Sequence, residues 1–381
     1  MCKMSELIPR TIQKRIENAL FKKRAIILYG ARQVGKTTLL RQLLDRGLSS
    51  AIYLNCDEPD IRERLTGVNS TQLKFLLGDK RIIAIDEAQR VKNIGVTLKL
   101  IVDNFPEKQV IATGSSSFDL SNQIVEPLTG RKYEFFLYPF SIQELEQFYT
   151  PLEIERLLER RMLFGMYPEI VLDEAEAQNK IKEISRSYLY KDILEHQQIK
   201  NPDMLEKLLQ ALALQIGSEV SYNELANLLK VDKKTIERYV ELLEKTFVIF
   251  RLKPYSKNLR GEITKLRKVY FWDLGVRNAL INNFNPLDLR ADAGALWENF
   301  MIGERFKFNR NAGIERNEYF WRTHQGQEID YLEVKEDGAL AAFEFKWQKE
   351  TAREPKGFAA AYPDREYRLV NKYNFRDFIV R

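Results

Sequence analysis

Continuous apolar runs of strand length punctuate the first third of the chain. Ala25–Tyr29 is one, the start of RIIAIDEAQR at residues 81–90 is another, and KQVIATGSSSFDL at 108–120 holds a third. After the first run, Leu39, Leu40, Leu43 and Leu44 recur at helical spacing. Such runs read as strands covered on both faces, which predicts a parallel sheet flanked by helices. Residues 151–216 follow a helical pattern, interrupted near Gly165-Met166-Tyr167-Pro168. Residues 219–250 divide into two amphipathic helices around the turn Lys230-Val231-Asp232. Leu225, Leu228 and Leu229 stripe the first; Ile236, Tyr239, Val240, Leu242 and Leu243 stripe the second. Ser221, with Glu224 three residues later, predicts a capping box. The strand FVIFRL follows. This is a helix-turn-helix with a wing. Near the C-terminus, 328–335 and 339–347 read as two strands joined by Glu336-Asp337-Gly338, a three-residue hairpin loop.

Composition narrows the class. A chain of 381 residues is too long for one core and predicts two to four domains. Hydrophobic residues at 44% and charged residues at 30% are ordinary for a soluble protein. No apolar run approaches the ~20 residues that span a bilayer, so no membrane partner is expected. The amphipathic N-terminus, MCKMSELIPRTIQKRIENAL, lacks the apolar stretch and cleavage site of a signal peptide. Cys2 and Cys56 have no metal-ligand spacing, and His196 and His324 lie far apart. A reducing cytoplasm is the expected location. The net charge of +6 is unevenly spread. Arg251, Lys253, Lys257, Arg260, Lys265, Arg267 and Lys268 stand against Glu262 alone within residues 251–268, an excess equal to that of the whole chain. That one-sided run fits either a solvated face or a contact with a phosphate backbone.

The strand at Ala25–Tyr29 leads into Gly30-Ala31-Arg32-Gln33-Val34-Gly35-Lys36-Thr37-Thr38, which contains GxxxxGK[ST]. Glycines let the backbone curl so that successive N–H groups face an anion at a helix N-terminus. Lys36 can reach the β- and γ-phosphates, and the Thr37 hydroxyl can ligate Mg²⁺. The strand at 81–86 ends in Asp86 and Glu87, which suit Mg²⁺ binding and polarisation of a water. Thr113 and Ser115, after the third strand, are candidates to sense the γ-phosphate. Arg131, in LTGRKYEFFLYPFSIQEL, reads as an arginine finger, a γ-phosphate sensor or a surface arginine.

The order GARQVGKTTLL, IIAIDEAQ, VIATGSSS, LTGRKYEFFLYPFS resembles the AAA-type ATPases of bacteria and archaea that carry a C-terminal domain of unknown function with a restriction-endonuclease-like fold. The resemblance covers nearly the whole chain. It implies a multidomain α/β protein: a P-loop ATPase core at 1–150, a helical lid at 151–216, a winged helix at 217–270 and a nuclease-like domain at 271–381. It also implies ATP and Mg²⁺ as cofactors and an attached DNA-related module.

In a winged helix the second helix enters the major groove, so Lys233, Lys234 and Arg238 would face DNA, with Lys257, Arg260, Lys265 and Arg267 on the wing. Winged helices also serve as protein-binding modules, and a protein partner and a homo-oligomer both stay open. The C-terminal hairpin loop would pair Lys335 with Ala339 and therefore Asp330 with Glu344. Glu344 and Lys346 would share one face, Phe343, Phe345 and Trp347 the other. Carboxylates facing each other repel, and a divalent cation would reverse that cost. Asp330, Glu344 and Lys346 form the Asp…Glu-x-Lys constellation of the PD-(D/E)xK nucleases, in which the two acids hold Mg²⁺ and the lysine orients water. The resemblance makes Glu298 an added acidic ligand. The competing reading is a cross-strand Asp330–Lys346 ion pair on an inert scaffold. The whole is then either a DNA-acting ATPase with a metal-dependent nuclease domain or a nucleotide-switched regulatory protein.

Overall fold

The computed structural model describes residues 7–45, 50–114, 120, 123–124, 126–191 (backbone alone from 187), 201–256, 267–323, 325–335 and 337–380. Ser115, Lys257, Arg260 and Lys265 lie outside the described residues. The chain forms two compact units where the sequence predicts four segments. One comprises residues 9–138 and 245–247, the other 7–8, 139–244 and 248–380.

The first unit is built on a five-stranded sheet in the order β2-β3-β4-β1-β5. Its strands are β1 (Ala25–Gly30), β2 (Ala51–Asn55), β3 (Ile82–Asp86), β4 (Gln109–Gly114) and β5 (Lys132–Leu137). Every pairing is parallel. Every residue of β1, β3 and β4 is buried, which is why these strands read as unbroken apolar runs. The helix Lys36–Asp45 follows β1 and buries Leu39, Leu40 and Leu43. Gly30 ends β1 because no side chain fits: a Cβ there would stand 2.3 Å from the Leu137 carbonyl oxygen. β4 lies between β3 and β1, so all three ends open onto one edge of the sheet.

In the second unit, the helices Pro151–Phe164, Pro168–Leu172, Ala177–Lys191 and Pro202–Leu214 occupy the expected helical stretch. Next come β6 (Glu219–Val220), the helices Tyr222–Leu229 and Lys233–Lys245, β7 (Ile249–Pro254) and β8 (Arg267–Phe271). This is the predicted helix pair with its flanking strands. Two details differ. Leu228 is 65% exposed, outside the apolar stripe assigned to it. Ser221 accepts a hydrogen bond from the Glu224 N–H at its helix start.

The last elements are the helix Ala293–Ala312 and strands β9 (Asn317–Arg322), β10 (Glu328–Val334), β11 (Leu340–Phe345) and β12 (Arg365–Val370). The expected boundary at residue 270 does not divide the sheet. β7 pairs with β9 through Lys253–Tyr319 and Pro254–Phe320, giving one seven-stranded sheet, β12-β11-β10-β9-β7-β8-β6.

Candidate functional site

The edge of the first sheet gathers most of the phosphate-binding candidates. The loop from Gly30 to Lys36 needs left-handed backbone at Gln33 (φ 59°) and Gly35 (φ 95°). Lys36 is 5% exposed, and its ammonium donates to the carbonyl oxygens of Gly30 and Ala31 at 2.9 Å each. Those two bonds hold the charge over the loop, where an incoming phosphate would take them over.

Asp86, at the end of β3, is buried and accepts from three hydroxyls. Thr37 Oγ1 donates at 2.7 Å, the Tyr53 hydroxyl at 2.6 Å, and Thr113 Oγ1 closes the set. Burial and the Asp86 carboxylate raise the Tyr53 phenol above its ordinary value, so it stays a donor. Cys56, also beside Asp86, is pushed up to about 12 by burial and by the Asp86 and Asp57 charges. The pairing of Thr37 with Asp86 fits Mg²⁺: ligand oxygens at ~2.1 Å in octahedral geometry stand roughly 3 Å apart. The chain turns sharply after Asp86, with Glu87 at φ 52°. The Glu87 N–H donates to Thr113 Oγ1 at 3.1 Å, and the Gln89 amide holds the Glu87 carboxylate at 2.6 Å. Sequence reasoning missed Tyr53 and Gln89; the first lies in an unremarkable strand, and the second lies just past the recognised acidic pair.

Arg131 sits elsewhere. It immediately precedes β5, and its carbonyl accepts from the Ala25 N–H at the start of β1. β1 therefore separates it from the phosphate loop by roughly 16 Å at ~3.3 Å per residue. Its guanidinium pairs with Asp103 at 2.7 Å. The structure does not bring Arg131 to the loop of its own chain, which corrects the γ-phosphate-sensor expectation.

In the second unit, Lys233, Lys234 and Arg238 are exposed on the second helix of the pair. Lys233 approaches Glu237 at 3.5 Å, and Arg238 lies over the Tyr239 ring. Arg267 begins β8 and is half-buried.

The C-terminal hairpin has the expected register. Tyr331 pairs with Phe343 and Leu332 with Ala342, and the Lys335 N–H donates to the Ala339 carbonyl at 2.9 Å. The ladder ends at Tyr331–Phe343; continued by one step, it would set Asp330 opposite Glu344. The β10–β9 ladder shifts register between Ile329 and Leu332, and Asp330 Oδ2 accepts from the Phe345 N–H at 2.8 Å. Burial, with the Glu298 and Glu344 charges, raises the Asp330 carboxyl well above the usual range. The constellation differs from the expected one in its partners. Lys346 pairs with Glu344 at 2.7 Å, not with Asp330. Lys268, 1% exposed, reaches Glu298 at 2.9 Å and also pairs with Glu328. Tyr270 donates to Glu298 at 2.6 Å. Glu344 Oε2 is buried without a hydrogen-bond partner. Among the described residues, no three of His, Cys, Asp and Glu are placed to hold a metal ion. Glu298, Asp330 and Glu344 lie near enough to act on one another's charge, but ammonium groups hold Glu298 and Glu344. Lys268 and Glu328 were not anticipated as partners here: Lys268 read as one more cation of the basic run.

Residues 22–146 match the family model of an AAA domain. Residues 155–287 and 293–377 match two domains of unknown function, DUF8612 and DUF4143. An uncharacterized protein of Methanocaldococcus jannaschii is 27% identical over 390 residues, covering 95% of this chain and 84% of the relative. An uncharacterized protein of Mycobacterium tuberculosis is 27% identical over 342 residues, covering 88% and 73%. A Walker-type ATPase of Pyrococcus abyssi shares the fold, with a TM-score of 0.51 at 18% identity, over 74% of this chain and 98% of that one. Among the described residues no helix is long and apolar enough to cross a membrane.

Proposed function

We propose that the protein is an Mg²⁺-dependent, ATP-hydrolysing AAA-type ATPase that acts on DNA through its helix-turn-helix. The observation that carries the ATPase reading is the meeting of Thr37, Thr113 and Asp86 at the mouth of the phosphate loop. Three segments far apart in sequence converge there, on the sheet edge where a P-loop fold binds phosphate. The AAA-domain match supports the same chemistry.

Each residue then has a role. The loop N–H groups bind phosphate oxygens, and Lys36 neutralises the β- and γ-phosphates. Thr37 and Asp86 would hold Mg²⁺, which when bound neutralises charge across the phosphate oxygens. Thr113 fixes both Asp86 and the turn at Glu87. Glu87 orients the attacking water and accepts its proton. Gln89 holds the Glu87 carboxylate until substrate competes for it.

Lys36→Ala should abolish ATP binding. Glu87→Gln should retain ATP and hydrolyse it about a hundredfold more slowly, as for loss of a general base. Equilibrium binding and single-turnover hydrolysis separate the two effects. Unchanged turnover in Glu87→Gln would remove that residue from the role. The DNA part of the reading rests on Lys233, Lys234 and Arg238 being exposed in the first half of one helix. ATPase rates with single-strand, duplex and junction DNA test it. We assign the C-terminal strands no cleavage step, because two of the three acids expected to bind metal there, Glu298 and Glu344, are held by lysines.

A further inference from the structure

We propose that Lys268 is the resident cation of the C-terminal carboxylate cluster and stands where a nuclease of this constellation would hold its divalent metal. The inference concerns the second unit alone and does not depend on the ATPase reading.

The cluster is drawn from four elements. Glu298 comes from the helix Ala293–Ala312, Glu328 and Asp330 from β10, Glu344 from β11 with Lys346 just past its end, and Lys268 from β8. Lys268 is 1% exposed, and such an ammonium needs carboxylate partners at close range. It has two. Glu298 Oε1 lies 2.9 Å away, and Glu328 Oε1 is closer still. The Phe320 ring also lies near it, 5.5 Å from the ammonium to the ring centroid. Glu298 is fixed further by the Tyr270 hydroxyl. Arg322 approaches the second oxygen of Glu328 at 3.8 Å, and Lys346 takes Glu344 Oε1 at 2.7 Å. Asp330 spends one oxygen on the Phe345 N–H.

Four carboxylates therefore face three cationic heads. A divalent cation needs several oxygens converging at ~2.1 Å. Here Glu298 Oε1 is taken by Lys268 and Tyr270, and Glu344 Oε1 by Lys346. A metal ion would also meet the repulsion of ammonium groups already in place. Glu344 Oε2 is buried without a partner, and the Phe345 N–H takes one of the two Asp330 oxygens. Two such oxygens do not fill an octahedral coordination sphere. The sheet explains how a lysine gets there. β7 pairs with β9, so β8, the strand after the basic segment, joins the C-terminal sheet and brings Lys268 to Glu328.

The test counts bound Mn²⁺ on the full chain by electron paramagnetic resonance. Thr37→Ala with Asp86→Asn serves as the background, so that the phosphate-loop site is silent. This background should bind no Mn²⁺. Adding Lys268→Met, which keeps the stem and removes the charge, should create one Mn²⁺ site, and Asp330→Asn should remove it again. Mn²⁺ should likewise raise the melting temperature of the Lys268→Met chain and leave that of the background unchanged. Mn²⁺ bound by the background and lost on Asp330→Asn would overturn the proposal, and this arm stands even if Lys268→Met fails to fold. A folded Lys268→Met chain that binds no Mn²⁺ would overturn it too.

Discussion

Single residues at the phosphate loop divide into those with a motif and those without. Lys36, Thr37 and Asp86 were legible because their chemistry fixes their spacing from a glycine loop and a strand end. Thr113 was legible by topology, since a polar residue ending a strand beside Asp86 has few other reasons to be there. Tyr53 carried no signal: an aromatic in a strand normally packs. Its hydroxyl instead donates to the carboxylate that Thr37 also uses, at 2.6 Å. Groups that orient a metal ligand from behind typically change metal affinity by 10- to 100-fold when removed. Tyr53→Phe should therefore raise the Mg²⁺ concentration at half-maximal hydrolysis about tenfold, with ATP binding in the absence of metal unchanged. An Mg²⁺ titration of turnover, beside a metal-free binding isotherm, checks it. Equal half-saturation in both proteins would leave Tyr53 a packing residue.

Elements were read well where period and boundary signals agreed. The buried strands, the helix pair and the C-terminal hairpin fell close to their predicted positions, and the hairpin register is the expected one because a three-residue loop fixes it. Elements misled where burial was decided from outside the element. Arg131 lies at the wrong end of a parallel strand, and strand polarity in a sheet is not written in the strand itself. Lys268 looked solvated within a basic run, yet its strand carries it to four acids that are 30 to 76 residues away in sequence. The start of the helix Ala293–Ala312 holds a related ion cluster. Arg277 donates to Asp292 at 2.6 Å and Arg290 at 2.8 Å. Burial alone would raise the Asp292 carboxyl from 3.8, but Arg290 and Arg277 hold it at about 2. A carboxyl depressed in the folded state stabilises the fold above its unfolded value, and that stabilisation is lost as pH falls through the folded one. The gap in unfolding free energy between the native chain and Asp292→Asn should thus be constant above the usual carboxylate range and shrink as pH falls from about 4 to 2. Urea melts across that interval measure it. A gap independent of pH would show that the arginines do not act through the Asp292 charge.

At the scale of the molecule, the sequence held the order of parts but not their grouping. Helices expected as a lid, the helix-turn-helix and the C-terminal strands share one compact unit, because a single sheet runs through the last two. That continuity is made by two residue pairs between β7 and β9, too few to leave a pattern in either strand. Composition counts charge but does not say which charges are already paired. Residues 251–268 hold an excess equal to the net +6, though Arg251 and Lys268 within them are paired with carboxylates. Lys233, Lys234 and Arg238 add exposed cations at the start of the helix that would enter a groove. If they contact phosphates, each releases counterions on binding, and affinity falls with salt by about 0.9 in logarithmic slope per contact. Replacing all three by Ala should weaken duplex binding at low salt and flatten the slope by about 2 to 3. The two changes must occur together, because a loss of affinity with the slope intact would mean a folding defect or a lost base contact. A triple variant matching the parent at every salt concentration would move the DNA contact off this helix. If ATP turnover then rose with a protein partner and not with DNA, the helix-turn-helix would be a protein-binding module and the ATPase a remodelling machine.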